Sequence, residues 1–204
     1  MTSSKELIKT RKEEIVNACE KLYKTMSFKD ITMKVIASAT TFTRTSIYNY
    51  FHTKEEIFLA LTKKEYDLWN EDLSLIIENN KKLSKDNIAK EIAKTLEKRE
   101  QMLKLVSMNH FDMEANSRLE IIVDFKVSFG NSIKLVSQII KKFCPKMTNK
   151  QTQEFVYAFF PFLYGTYPYA IVNANQKKAM EKANVGYVYH SIYDLVFLCI
   201  KKLL

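Results

Sequence analysis

Glycine and proline are scarce, with three of each in 204 residues. No Asn-Gly or Asp-Gly pair marks a hairpin, and no segment sustains the polar/apolar alternation of a half-buried strand. Sheet architectures are thereby excluded. Gly130, Gly165 and Gly186 stand alone, so no glycine-rich loop cradles a phosphate and no dinucleotide fingerprint is present. HExxH and GxSxG are also missing, and the chain is not expected to be an enzyme. Cysteine is equally sparse. Cys19, Cys144 and Cys199 are far apart, without CxxC or histidine spacing, so neither a disulfide framework, a metal site nor any other cofactor is expected. A reducing cytoplasm suits such a chain. The opening "MTSSKELIKTRKEE" lacks the apolar core of a secretory signal. Charge is absent from Phe155 to Gln176, a length that could span a bilayer, but two prolines, a glycine and several tyrosines interrupt it. A buried helix rather than a membrane span is expected there.

What is present is 47% apolar residues, enough for a sizeable core, and a net charge of +9 that suits a polyanionic partner. Residues 1–60 carry 10 basic and 7 acidic side chains, and residues 141–204 carry 9 and 3. The C-terminal excess reads most simply as a solvated lysine fringe.

Apolar residues recur at three- and four-residue spacing throughout, so the chain is expected to be all-α. Ser3-x-x-Glu6 opens a first helix with Ile8, Ile15, Cys19, Leu22 and Met26 on one stripe. Thr32 caps a short second helix, Thr43 a third, and Thr53-x-x-Glu56 a long fourth that reaches about Asn80. Its apolar positions include Ile57, Leu61, Leu68 and Leu75, with Trp69, Leu73 and Ile76 or Ile77 on the adjacent face. Ser84 caps a helix carrying Ile88, Ile92, Leu96, Leu103 and Val106, followed by a short helix or loop at "SMNHFDMEANS". Another helix covers roughly 118–143 and is stopped by Pro145. Thr148-x-x-Gln151 caps an aromatic helix expected to break near Pro161 or Pro168, and residues 184–204 form a last amphipathic helix.

The stretch "TRTSIYNYFHTKEE", from Thr43 to Glu56, crowds Tyr48, Tyr50, Phe51 and His52 between an arginine and a lysine. At 100° per residue, Ile47, Tyr50 and Phe51 project to one side of the third helix, and Thr45, Tyr48 and Asn49 to the other. Two short helices joined at Thr40, Thr41 and Phe42 suit a helix-turn-helix, whose second helix enters the major groove by its N-terminus. Arg44 and Thr45 are of types that read guanine edges and thymine methyls. Thr32, Thr43, Ser46, Tyr48, Asn49, His52 and Lys54 are of types that hold phosphate, Lys54 at a helix start.

The sequence "DITMKVIASATTFTRTSIYNYFHTKEEIF" resembles the TetR family of bacterial transcription regulators. The Thr32 cap, Ile36-Ala37, Tyr48-x-Tyr50-Phe51 and Lys54-Glu55 carry the likeness over residues 10–60. Thr40-Thr41 stands where Ala-Gly is usual, and Phe42 where a smaller aliphatic residue is usual. The resemblance implies an N-terminal three-helix DNA-binding domain at 1–53, joined by a long helix to a helical regulatory domain at 54–204 that binds an effector and dimerises. The implied partners are double-stranded, palindromic operator DNA, a second copy of the chain and a small effector, with no membrane. The implied function is a ligand-responsive regulator, a repressor released by an apolar or aromatic effector.

Eight aromatics between Phe155 and Tyr169 suit a pocket wall, although a core uses the same pattern. Trp69, His110, Phe111, Phe125, Tyr157, Phe160 and Tyr164 are the candidate lining residues. Val188, Ile192, Leu195, Val196 and Cys199 form the expected dimer seam. A DNA-binding protein without effector is the rival reading, separated by whether a ligand changes DNA affinity.

Overall fold

The computed structural model describes residues 4–108 and 110–204; the side chains of Ser4, Lys5 and His110 lie outside that description, as does the Ser3 cap. Among the described residues there are eleven helices and no strand. They are α1 (Ser4–Tyr23), α2 (Met33–Ser38), α3 (Arg44–Ile47), α4 (Lys54–Asn79), α5 (Lys85–Glu97), α6 (Glu100–Val106), α7 (His110–Ala115), α8 (Leu119–Phe143), α9 (Asn149–Ala170), α10 (Ala174–Lys182) and α11 (Ile192–Leu203).

Two compact units divide the chain, one made of residues 1–65 and 109–129, the other of 66–108 and 130–204. In the first unit, Ile15, Cys19, Ile31, Ile36, Ile47, Phe51 and Phe58 are almost fully buried. Phe58 takes Tyr23 and Phe28 edge-on at 5.1 and 4.8 Å between ring centres. Each such side chain contributes about 1.5–3 kcal/mol by leaving water. Ile8 is exposed, so the core stripe of α1 begins later than expected, and Met26 lies beyond the helix end.

In the second unit, α5 follows its Ser84 cap, whose hydroxyl accepts from Asn87 N–H at 3.2 Å. Ile88, Ile92 and Leu96 bury one stripe of α5, against which α11 packs. On α4 the buried face is Trp69, Leu73 and Ile76, whereas Leu75 is exposed and Leu68 only half-buried. Trp69 Nε1 donates to Thr95 Oγ1 at 2.9 Å, so the indole is both packed and satisfied.

Three helices depart from expectation. The helix after Ser84 does not continue to Val106: Arg99 leaves helical geometry, with φ −110° and ψ 40°, and opens the separate α6. Its guanidinium is drawn to Asp72 Oδ2 at 2.7 and 3.0 Å and to Leu68 O at 3.1 Å. Helix α9 does not break, and both Pro161 and Pro168 lie inside it. Both prolines are on the exposed side, where carbonyls that lose a backbone partner are open to water. The last helix begins only at Ile192, where the Ser191 hydroxyl accepts from Asp194 N–H at 3.1 Å and the Asp194 carboxylate accepts from Ser191 N–H at 3.2 Å. Consequently Val188 is outside any helix, and Ile192 and Val196 are buried against the chain's own core. They leave Leu195 and Cys199 half-buried and Leu198 exposed as the outward side of α11.

The charge-free stretch fills the latter part of α9 and runs on into the start of α10; within it α9 buries Phe155, Val156, Phe159, Phe160, Leu163 and Thr166 along one face. No single described helix is long and apolar enough to cross a membrane; α9 and α10 pass that test only as a pair bent by 85°.

Candidate nucleic-acid interface

The reading motif is built by two threonine caps. Thr32 Oγ1 accepts from Val35 N–H at 3.3 Å and starts α2, and Thr43 Oγ1 accepts from Ser46 N–H at 3.2 Å and starts α3. Each cap satisfies a helix-start donor that would otherwise need water. Helix α3 is a single turn continued by turns through Tyr50. Ile47 and Phe51 are buried beneath it, while Thr43, Arg44, Thr45, Tyr48 and Asn49 are exposed together above it. Ser46 is half-buried and its hydroxyl lies 2.8 Å from that of Thr43.

Arg44 is extended along α3, with Nη2 donating to Tyr48 OH at 3.2 Å and the guanidinium 5.8 Å from the ring centre. The arginine is thus presented on the outward side by a tyrosine that is itself 38% exposed. Tyr50 is half-buried and meets Phe42 edge-on at 6.0 Å, and Arg11 lies over the Phe42 ring at 4.8 Å. Phe42 therefore has a place between α1 and the end of the reading motif.

The turn between α2 and α3 is secured from α1. Thr41 donates to Glu14 Oε1 twice, from its hydroxyl at 2.6 Å and from its N–H at 2.8 Å. Those two bonds, the hydroxyl's first, hold the Glu14 carboxyl below the usual carboxylate range. Among the described residues only Asn184 has a positive φ outside glycine. The Thr40-Thr41 turn therefore adopts no backbone that calls for glycine.

His52 is exposed just after the motif, and its N–H donates to Glu56 Oε2 at 2.7 Å. Thr53 Oγ1 accepts from Glu56 N–H at 3.2 Å, so only half of the expected capping box forms; the Glu56 side chain reaches back one residue further. Lys54 is turned inward: Nζ donates to Phe28 O at 2.8 Å and sits 3.9 Å from the Phe28 ring centre. Among the sequence-predicted contacts, Thr43, Arg44, Thr45, Tyr48 and Asn49 are brought together, whereas the ammonium of Lys54 is directed to the core side.

Sequence reasoning missed Glu14, Arg11 and Arg118. The Arg118 guanidinium grips the fully buried Glu56 carboxylate and also donates to Tyr50 O at 3.1 Å, at the end of the reading motif. No periodic pattern joins residues 62 positions apart, so no sequence signal pointed to this pair.

A family model described as "Bacterial regulatory proteins, tetR family" matches residues 15–61, and one described as "Tetracyclin repressor-like, C-terminal domain" matches residues 63–190. The chain belongs to the TetR family. Regulators of this family bind operator DNA and act as dimers with small-molecule ligands. The fold is similar to that of a TetR-family regulator from Mesorhizobium loti, with 12% identity, TM-score 0.61 and 96% of each chain covered. It is similar also to the fatty acid degradation regulator FadR from Bacillus halodurans, with 13% identity, TM-score 0.58 and 95% of this chain and 94% of that one covered. Thermus thermophilus FadR, a repressor solved in complex with lauroyl-CoA, gives 14% identity, TM-score 0.58 and coverage of 94% and 92%. No curated protein matches the sequence.

The aromatic candidates are placed in both units and do not form one wall within either. In the second unit, Trp69 and Phe160 pack together in the core at 6.0 Å between ring centres. Tyr157 and Tyr164 instead lie on the outer face of α9 with Pro161 and Pro168. In the first unit, Phe125 is buried and Phe111 is 81% exposed on α7; the side chain of His110 lies outside the described residues. No group of three or more metal-ligating side chains occurs among the described residues.

Proposed function

We propose that the chain is a ligand-released transcriptional repressor rather than an enzyme, working in the cytoplasm as a symmetric homodimer on a palindromic, double-stranded operator. The observation that carries the reading is the outward face of α3. Arg44, Thr45, Tyr48 and Asn49 are exposed there while Ile47 and Phe51 anchor the other side. Such a helix offers base-reading and phosphate-holding groups on a fixed frame. Residues 1–53 serve as the DNA-binding part and 54–204 as the regulatory part.

One copy of so short a helix reads few bases, and pairing two copies one DNA turn apart doubles the contacts. The seam we infer lies on the outer faces of α9 and α11, where Tyr157, Pro161, Tyr164, Leu195, Leu198 and Cys199 leave apolar surface. Ile192 and Val196 support that seam from beneath.

The effector proposed is a small apolar or aromatic molecule, and the acyl chain of the lauroyl-CoA bound by the Thermus repressor supports the apolar class. The test is operator binding, by fluorescence anisotropy, with and without saturating long-chain acyl-CoA esters and aromatic acids. An active effector lowers operator affinity by about 5- to 150-fold, and operator DNA lowers effector affinity by the same factor. A compound that binds without changing operator affinity would sink the release mechanism for its class.

A further inference from the structure

Helix α10 has all the marks of a specified element but little of its own chain to pack on: only Met180 is half-buried, and Lys177 Nζ lies 5.3 Å from the Tyr189 ring centre. Asn173 and Gln176 form a complete capping box at its start, with bonds of 2.9 and 3.1 Å. At its end Val185 N–H donates to Met180 O at 3.0 Å, and Asn184 takes the left-handed conformation at φ 53°. Yet none of its nine residues is buried. A helix of that length is marginal in water without an apolar face covered by something else.

The arm around it, residues 171–190, is correspondingly apolar on the outside. Ile171, Val185, Val188 and Tyr189 are all exposed, Val188 at 69%. Between α10 and the segment before α11 lies a hollow of about 460 Å³, walled by Pro168, Tyr169, Ala179, Met180, Tyr187 and Tyr189. Its aromatic side is ordered: Tyr187 meets Tyr189 edge-on at 5.1 Å and lies tilted against Tyr169 at 6.3 Å. Pro168 belongs to this hollow and, seven residues on from Pro161, to the same exposed stripe of α9. The exposed apolar stripe of α9 therefore runs without interruption into the arm, and the arm leads directly to the Ser191 cap of α11, the other seam helix.

We infer that residues 171–190 form a clasp that laps onto the second copy of the chain and makes a contact additional to the pairing of α9 and α11. In a two-fold dimer the same surface is used on both copies, so each arm continues the partner-facing stripe of its own α9 past the end of that helix. This inference rests on the dimer reading above.

The test uses the full chain in three forms: wild type, the arm variant Ile171→Glu/Val188→Glu, and the seam variant Leu198→Glu. Dimer dissociation is measured by sedimentation and α10 amide exchange by mass spectrometry, the wild type being diluted through its dissociation range. The altered side chains are exposed, so circular dichroism is expected to stay that of the wild type. The expected result is a dissociation constant raised roughly tenfold or more in the arm variant, together with faster α10 exchange in dilute wild type than in its dimer. Wild-type dimerisation by the arm variant, with α10 exchange unchanged by dilution, overturns the clasp. A Leu198→Glu monomer in that case leaves the dimer reading standing. If Leu198→Glu stays dimeric while the arm variant dissociates, the clasp stands and the proposed seam falls. The exchange measurement on wild type decides the clasp even if a variant misfolds.

Discussion

Arg118 and Glu56 form a forked ion pair, with Nε donating to Oε1 at 2.7 Å and Nη2 to Oε2 at 2.9 Å, and the Arg118 N–H adds a bond to Oε1 at 3.1 Å. The Glu56 residue is fully buried, and the arginine side chain is about a third exposed. Because the same guanidinium bonds Tyr50 O, the pair ties the start of α4 and the chain before α8 to the last turn of the reading motif. A buried carboxylate without its partner is expensive. Arg118→Ala should therefore destabilise the first unit by about 3 kcal/mol, the low end for a broken buried pair because of the arginine's exposure. Urea unfolding checks this; a loss within experimental error of zero would mean that the pair contributes nothing.

The same pair sets a pH dependence. Burial alone would raise the Glu56 pKa, but the hydrogen bonds from Arg118 and from His52 N–H outweigh it, and the carboxyl is held below its usual value. A depressed folded pKa gives stability that is present above the unfolded value of about 4.3 and lost as pH falls through the folded one. Wild type should thus lose stability in acid more steeply than Glu56→Gln. Unfolding midpoints of both proteins across the acid range, down to about pH 3, give the comparison; equal slopes count against the assignment.

The Glu14–Thr41 latch should act on DNA binding more than on folding. Both partners are at the surface, and the latch holds the turn that sets the angle of α3. Glu14→Ala should lower operator affinity by roughly threefold to tenfold with the dimer intact, as a lost positioning contact would. Glu14→Gln keeps one acceptor oxygen and should recover part of the loss. Unchanged operator isotherms for the alanine variant would remove the latch from the binding machinery.

Local signals in the sequence were legible where their causes are local. Thr32, Thr43, Ser84 and Thr148 each accept the N–H bond that their spacing foretold. The cap at Ser191-x-x-Asp194 is equally local, but the apolar pattern extends back to Asn184 and masks it. What stayed hidden was set at a distance. The break at Arg99 is caused by Asp72, 27 positions earlier, and the inward turn of Lys54 by Phe28, 26 positions earlier. Pro161 and Pro168 read as breakers because the exposure that makes proline tolerable inside α9 is set by the tertiary fold and not by local sequence. The reading face itself was legible, since the 100° rule separated Ile47 and Phe51 from Thr45, Tyr48 and Asn49 as the burial does.

Arg44 and Lys54 should part company in their effects on DNA. The sequence position of Lys54 suggests a phosphate ligand whose loss would lower the salt dependence of binding. The structure gives its ammonium a carbonyl at 2.8 Å and a ring at 3.9 Å on Phe28, both within its own unit. Lys54→Ala should accordingly lower thermal stability, because Phe28 O loses its partner, while the slope of log affinity against log salt stays that of wild type. A phosphate-bound lysine would instead reduce that slope by about 1. Arg44 has no such tie: its guanidinium rests on Tyr48 at the outward face, ready to exchange a tyrosine hydroxyl for a guanine edge. Arg44→Ala should leave the melting temperature alone and cost about 1–3 kcal/mol of preference for operator over unrelated DNA. Operator and random-sequence isotherms at several salt concentrations, with melts of both variants, separate the two roles. An arginine variant that keeps full discrimination would move the specificity elsewhere on α3, and a lysine variant with a reduced salt slope would put Lys54 back on the phosphates.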